Sequence, residues 1–297
     1  MGYLFVALAL SAGVVKGYCG KKTSGYVSEP RDAAFANMVR MLICILIGFF
    51  VVLFSCGASS LAISARVLWI TALSGVGTSL FVVSWLLAVR KGAYMLVDVF
   101  LLLGMVVPIG GSALLFDERI RYNHWIGFAI LLVAVLLLCS YNNSIKTKLS
   151  LPAVLLLCLS GLANGVADFS QKLFVKLEGE TPIEIFNFYT YVFAAITLAI
   201  FFFAQKKSDA KGASDKSKLR YILIYIPIMA VCLFLNSLFK TYAALYLDAA
   251  ILYPLNMGAA LMLSSLMAAI FFGEKLKWKS ILAIVLAFIS LIMINML

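Results

Sequence analysis

Within the long apolar stretches of this chain stand two aspartates, Asp98 and Asp168, and three basic residues, Lys16, Arg40 and Lys240. Charge in an apolar medium is expensive unless it is paired, so such residues mark ion paths, gates or paired structural sites. An acid and a base at matching depth form a pair that can open and close, and burial can raise a carboxylate into a range where it exchanges protons. The chemistry read from these residues is therefore gating or ion coupling. Asp98 can pair with Arg40 or Lys16, and Asp168 with Lys240. Two alternatives stay open. Asp168 and Lys172 are four residues apart on one helix face and can pair locally, while Lys16, Arg40 and Lys172 can reach toward the headgroups.

A second group could bind a solute. Trp85, Asn164, Tyr189, Asn236, Tyr253 and Asn256 lie in apolar surroundings, with Ser74 and Thr78 as further wall residues. Amides in a membrane otherwise bond between helices, at about 0.6–2 kcal/mol each, and the aromatics otherwise serve as packing or interface residues. Acid, base, amide and aromatic together suit a polar or zwitterionic solute such as an amino acid, nucleoside or sugar. Aromatics beside aspartates suit an organic cation, choline-like or a drug, through cation–π contact. Neither a metal nor a cofactor is expected. The six cysteines show no metal-ligand or redox spacing, and His124, the one histidine, reads as a solvated loop residue.

The elements that must position these groups follow from composition. Of 297 residues 64% are hydrophobic and 12% charged, with a mean hydropathy of +1.06, against about 25% charged residues in soluble domains. The +11 net charge flanks apolar runs, which speaks for membrane edges and against nucleic acid. Met1 to Val15 lacks a basic leader region and reads as the start of a first span. Cutting at polar and Gly/Pro punctuation leaves about ten apolar runs, near 2–20, 34–55, 67–89, 93–116, 124–141, 151–173, 182–204, 220–246, 249–272 and 279–296. Their length fits membrane helices and excludes a β-barrel.

Two of the connections look alike. "FDERIRYNHWIG" and "FGEKLKWKSILA" each carry a Glu and alternating basic residues before an apolar run, and Glu118 and Glu274 stand 156 residues apart. A shorter offset of 148 brings Gly13 and Gly17 onto Gly161 and Gly165. The chain thus divides into repeats at 1–145 and 146–297. Five crossings per repeat invert the second relative to the first, an arrangement that lets a central site face either side in turn. The two glutamates read as helix caps that need not touch a solute. The fold class expected is an all-α integral membrane protein, about ten transmembrane helices in two inverted five-helix repeats.

With its two Glu hinges, Arg40 in "ANMVRMLIC", and the connections "LLAVRKGAY" and "YAALYLDAA", the chain resembles the ten-span EamA-like members of the drug/metabolite transporter superfamily. The resemblance implies spans one to four and six to nine around a central cavity, with the fifth and tenth outside, and transport of small metabolites. Pro108 and Pro254 lie at unequal distances from their glutamates, a departure from the family pattern that displaces the expected helix breaks.

These readings imply a secondary-active transporter working by alternating access. No phosphate-binding G-x-x-x-x-G-K-[ST] motif is present, so the energy comes from an ion gradient, such as protons, from a substrate gradient, or from a partner. The expected partners are a small-molecule substrate and the lipid bilayer, with a monomer and a homodimer both open. The expected location is a bacterial plasma membrane. Call the side reached at the end of the first span side A, and the other side B. Loop lysines and arginines concentrate on side A, which puts both termini outside; the family resemblance implies the reverse. An intramembrane enzyme would need a nucleophile–base or metal cluster, and a non-transporting scaffold would gain nothing from inverted halves.

Overall fold

The computed structural model describes residues 1–25, 27, 30–91, 100–102, 104–141, 151–205, 216–272 and 278–295. Among them are ten α-helices: α1 Gly2–Ser24, α2 Pro30–Ser55, α3 Ala65–Lys91, α4 Val106–Phe116, α5 Tyr122–Tyr141, α6 Leu151–Leu177, α7 Ile183–Ala204, α8 Lys216–Tyr246, α9 Ala249–Phe272 and α10 Trp278–Asn295. A short 3₁₀ turn, Ala58–Leu61, joins α2 to α3. Seven helices (α1, α2, α3, α6, α7, α8 and α9) are long and apolar enough to cross a membrane; α4, α5 and α10 contain shorter apolar stretches. The chain is an integral membrane protein. Its outer faces agree, since Leu42, Leu46, Phe50 and Phe54 of α2 and Ile200 and Phe203 of α7 are exposed, a surface suited to lipid and not to water.

Local chemistry sets the helix ends. Pro30 opens α2 where no N–H is needed, and Glu184 in the first turn of α7 complements the helix dipole. Pro108 sits in the first turn of α4, so its missing donor costs no bond. Asp117 ends α4 in the left-handed conformation, φ 53°, which Asp tolerates better than most side chains. That reversal aims the next residue, Glu118, back at the bundle.

The helices pack in corresponding pairs. α1 lies against α8 as α6 lies against α3; α2 meets α8 as α7 meets α3; α1 meets α9 as α6 meets α4; and α2–α7 and α5–α10 are direct partners. The largest apolar core lies among α2, α3, α7 and α8, around Met41, Leu86, Tyr191 and Phe234. A smaller one, with Leu131, Leu261 and Ala287, joins α5 and α10 to α9. Two approaches are too close for a side chain. A Cβ on Gly75 of α3 would stand 2.5 Å from the Phe193 Cβ and 2.8 Å from the Thr190 carbonyl oxygen of α7. Cβ atoms on Gly161 and Gly165 of α6 would run into the carbonyls of Phe100 and Gly104, just before α4. Gly110 differs from the close approach its type suggests, because a Cβ there would meet nothing.

Candidate functional site

At the centre of the bundle is a cavity of about 110 Å³. α1 supplies Gly13, Lys16 and Gly17; α2 supplies Arg40; α3 supplies Phe81 and Trp85; α6 supplies Asn164; α8 supplies Asn236 and Lys240; and α9 supplies Asn256, Met257, Ala260 and Ser264. A recess of about 40 Å³ shares Lys16, Phe81, Asn164, Asn236 and Lys240 with it and adds Thr78, Asp168, Gln171 and Ser237. Among the described residues α5 and α10 contribute nothing to either lining.

The polar groups divide into fixed and unspent ones. Asp168, 1% exposed, forms an ion pair with Lys240 through Oδ1 and accepts a hydrogen bond from Asn164 Nδ2 at 3.2 Å through Oδ2. The Tyr253 hydroxyl donates to the Asp168 carbonyl at 2.6 Å and fixes this turn of α6. Asn236 donates to the Ala9 carbonyl at 2.7 Å, tying α8 to α1. Gln171 donates to Ser237, which donates to Asn187, a chain linking α6, α8 and α7 at 3.2 and 2.6 Å. Lys16 holds its ammonium 6.0 Å from the centre of the Phe81 ring. Arg40 is 3% exposed, and among the described residues its Nε has no acceptor and the Asn256 Oδ1 has no donor. Among the described residues neither Lys16 nor Arg40 is ion-paired.

Toward side B a second constellation joins the halves. Glu118, just past α4, accepts the Ala249 N–H at 2.8 Å, and its Oε1 lies 2.9 Å from Lys172 Nζ and 3.2 Å from Lys176 Nζ. Lys172 also donates to the carbonyls of Ala244 and Leu247 at 3.3 and 2.8 Å. One carboxylate thus caps the N-terminus of α9 and holds the end of α6, while Lys172 gathers the open carbonyls at the end of α8. Burial pushes the Glu118 carboxyl up, but the Ala249 amide and the two lysines outweigh it and hold it below its ordinary value.

The structure brings Lys16, Arg40, Trp85, Asn164, Asn236, Lys240 and Asn256 to one cavity and Asp168 to its recess. Lys16 of α1 and Asp168 of α6 line the same recess. Tyr189 and Tyr253 stand outside the lining. Tyr189 donates to the Leu61 carbonyl at 2.7 Å, anchoring the turn after α2, and Tyr253 is spent on Asp168. Asp98 and Glu274 lie outside the described residues. Lys172 turns from Asp168 to Glu118, and neither it nor Arg40 reaches outward, since both are buried. Glu118 caps α9 and not the helix that follows it. His124 is buried, its Nδ1 accepting the Arg121 N–H at 3.2 Å, and is no solvated loop residue. Phe81, Gln171 and Ser264 were not legible as lining residues. The glutamate's lysine partners were half legible, since Lys172 and Lys176 share a helix face and call for an acid.

Residues 151–296 match the model of the EamA-like transporter family. No curated protein matches the chain. A solved structure, described only as the crystal structure of a protein, is similar with a TM-score of 0.72 at 16% identity, covering 99% of this chain and 96% of that one. At that identity the likeness speaks for the fold alone.

Proposed function

We propose that the chain, whose residues 151–296 match the EamA-like transporter family, is a membrane transporter that carries a small polar metabolite through the central cavity by alternating access. The observation that carries this reading is the cavity itself, bounded by helices of both halves and lined by charged and amide groups. Pairings that persist when each helix is exchanged for the one five places on support two repeats, 1–145 and 146–297, moving against each other.

In this reading Glu118 and its partners close side B, and the Asp168–Lys240 pair senses occupancy beside the cavity. Opening side B separates Glu118 from α6 and α9, and the ends of α6, α8 and α9 then move apart. Ion coupling is assigned to Asp168, with Asp98 as the second carboxylate to test. Three basic residues against one carboxylate in the described lining disfavour the organic-cation alternative.

A solute-uptake screen in proteoliposomes, with and without an imposed pH gradient, tests the reading. Saturable uptake of a polar solute is expected. If Asp98→Asn and Asp168→Asn both leave pH-driven uptake intact, the proton-coupling part fails.

A further inference from the structure

The charge inventory of the cavity narrows the solute class. Lys16, Arg40 and Lys240 face the cavity, and the carboxylate facing the recess, Asp168, is engaged by Lys240. Lys16 and Arg40 are left as an excess of two positive charges among the described lining. The Arg40 Nε is buried without an acceptor, and a buried charged donor left unsatisfied is costly.

Resting on the transporter reading above, we infer that the solute is a small organic anion whose carboxylate or phosphate oxygens are received by Arg40 and Lys16. The guanidinium offers a planar fork of donors, of which Nε is one unspent member, and such a fork matches an oxyanion. The ammonium of Lys16 supplies a second, rotatable donor. The Asn256 Oδ1, also buried and without a donor, accepts an N–H or O–H from the rest of the solute. Arg40 belongs to α2 and Asn256 to α9, so a solute held at both ends bridges the two halves. A cavity of about 110 Å³, below the usual range of about 300–1,000 Å³, favours a small solute. Within the described lining, a neutral sugar or nucleoside leaves both charges uncompensated, and choline adds a third.

The test is thermal unfolding of the full-length protein in detergent with matched probes: succinate, glycerol 3-phosphate and L-glutamate against dimethyl succinate, glucose, uridine and choline. Stabilisation by at least one anion and by none of the neutral or cationic probes is expected, and comparison of succinate with glycerol 3-phosphate separates carboxylate from phosphate. Arg40→Gln should weaken that anion at least about tenfold, as loss of a charged hydrogen bond does, with Arg40→Lys retaining part of the affinity. Where Arg40→Gln does not fold, Lys16→Gln gives the same reading. Stabilisation by uridine, glucose or choline in preference to the anions overturns the inference, as does no response to any anion or an anion response unchanged by the folded variant. Anion binding without uptake in proteoliposomes upsets the transporter reading and leaves the site standing. Uptake of a neutral solute does the reverse.

Discussion

Asp168 is the residue on which most of the interior converges. Its side chain holds Lys240 and Asn164, and its carbonyl holds Tyr253. Removing one charge of a buried pair leaves the other uncompensated, at a cost of about 3–5 kcal/mol, whereas replacing both by apolar residues is often neutral. Asp168→Asn is therefore expected to lower the melting temperature in detergent, and Asp168→Asn combined with Lys240→Met to restore most of it. A double variant as unstable as the single one would show that the carboxylate acts through something other than Lys240. This pair was legible from the sequence, because an acid and a base in apolar runs have few other ways to be tolerated. The roles of Tyr189 and Tyr253 were not legible, because a hydroxyl spent on a backbone carbonyl has no signature in residue type.

At the scale of elements, two contacts hold one end and the middle of α6. The Glu118 bridge ties that helix to α4 and α9. With its acidity strengthened in the fold, Glu118 stabilises the native state at pH values above its ordinary pKa of 4.5, and that contribution disappears as the pH falls through the lower folded value. Melting temperature should decline on acidification below that range in the parent protein, with a shallower decline in Glu118→Gln; parallel declines would contradict the bridge. In the middle of the helix, Gly165→Leu forces a side chain against the Gly104 carbonyl. Overpacking of this kind costs about 1–3 kcal/mol or more, so the variant should melt earlier, while Gly110→Ala, facing open space, should melt as the parent does. The ten helices could be counted from apolar run lengths. Which helix Glu118 caps could not, since Glu118 and Ala249 are 131 residues apart and meet only through the packing.

On the scale of the whole molecule, the matched offsets of Gly13 with Gly161 and Glu118 with Glu274 pointed to two halves, a division that belongs to the proposal, while the helix contacts themselves recur in pairs five helices apart. That the polar groups share one central cavity was less legible. Depth along a helix is easy to estimate from sequence, but the rotation that turns Lys16, Arg40 and Lys240 toward a shared space depends on neighbours far along the chain. In the proposed cycle each half supplies part of the site, so filling the cavity from one wall must stop passage without unfolding the bundle. Ala260 lines that wall and is partly exposed to the cavity. The decisive measurement is solute uptake into proteoliposomes by the parent protein and by Ala260→Trp, each checked for a folded melting transition. Saturable uptake by the parent that Ala260→Trp abolishes is the predicted result; equal uptake by the folded variant, or none by the parent for any solute, would contradict transport through this cavity.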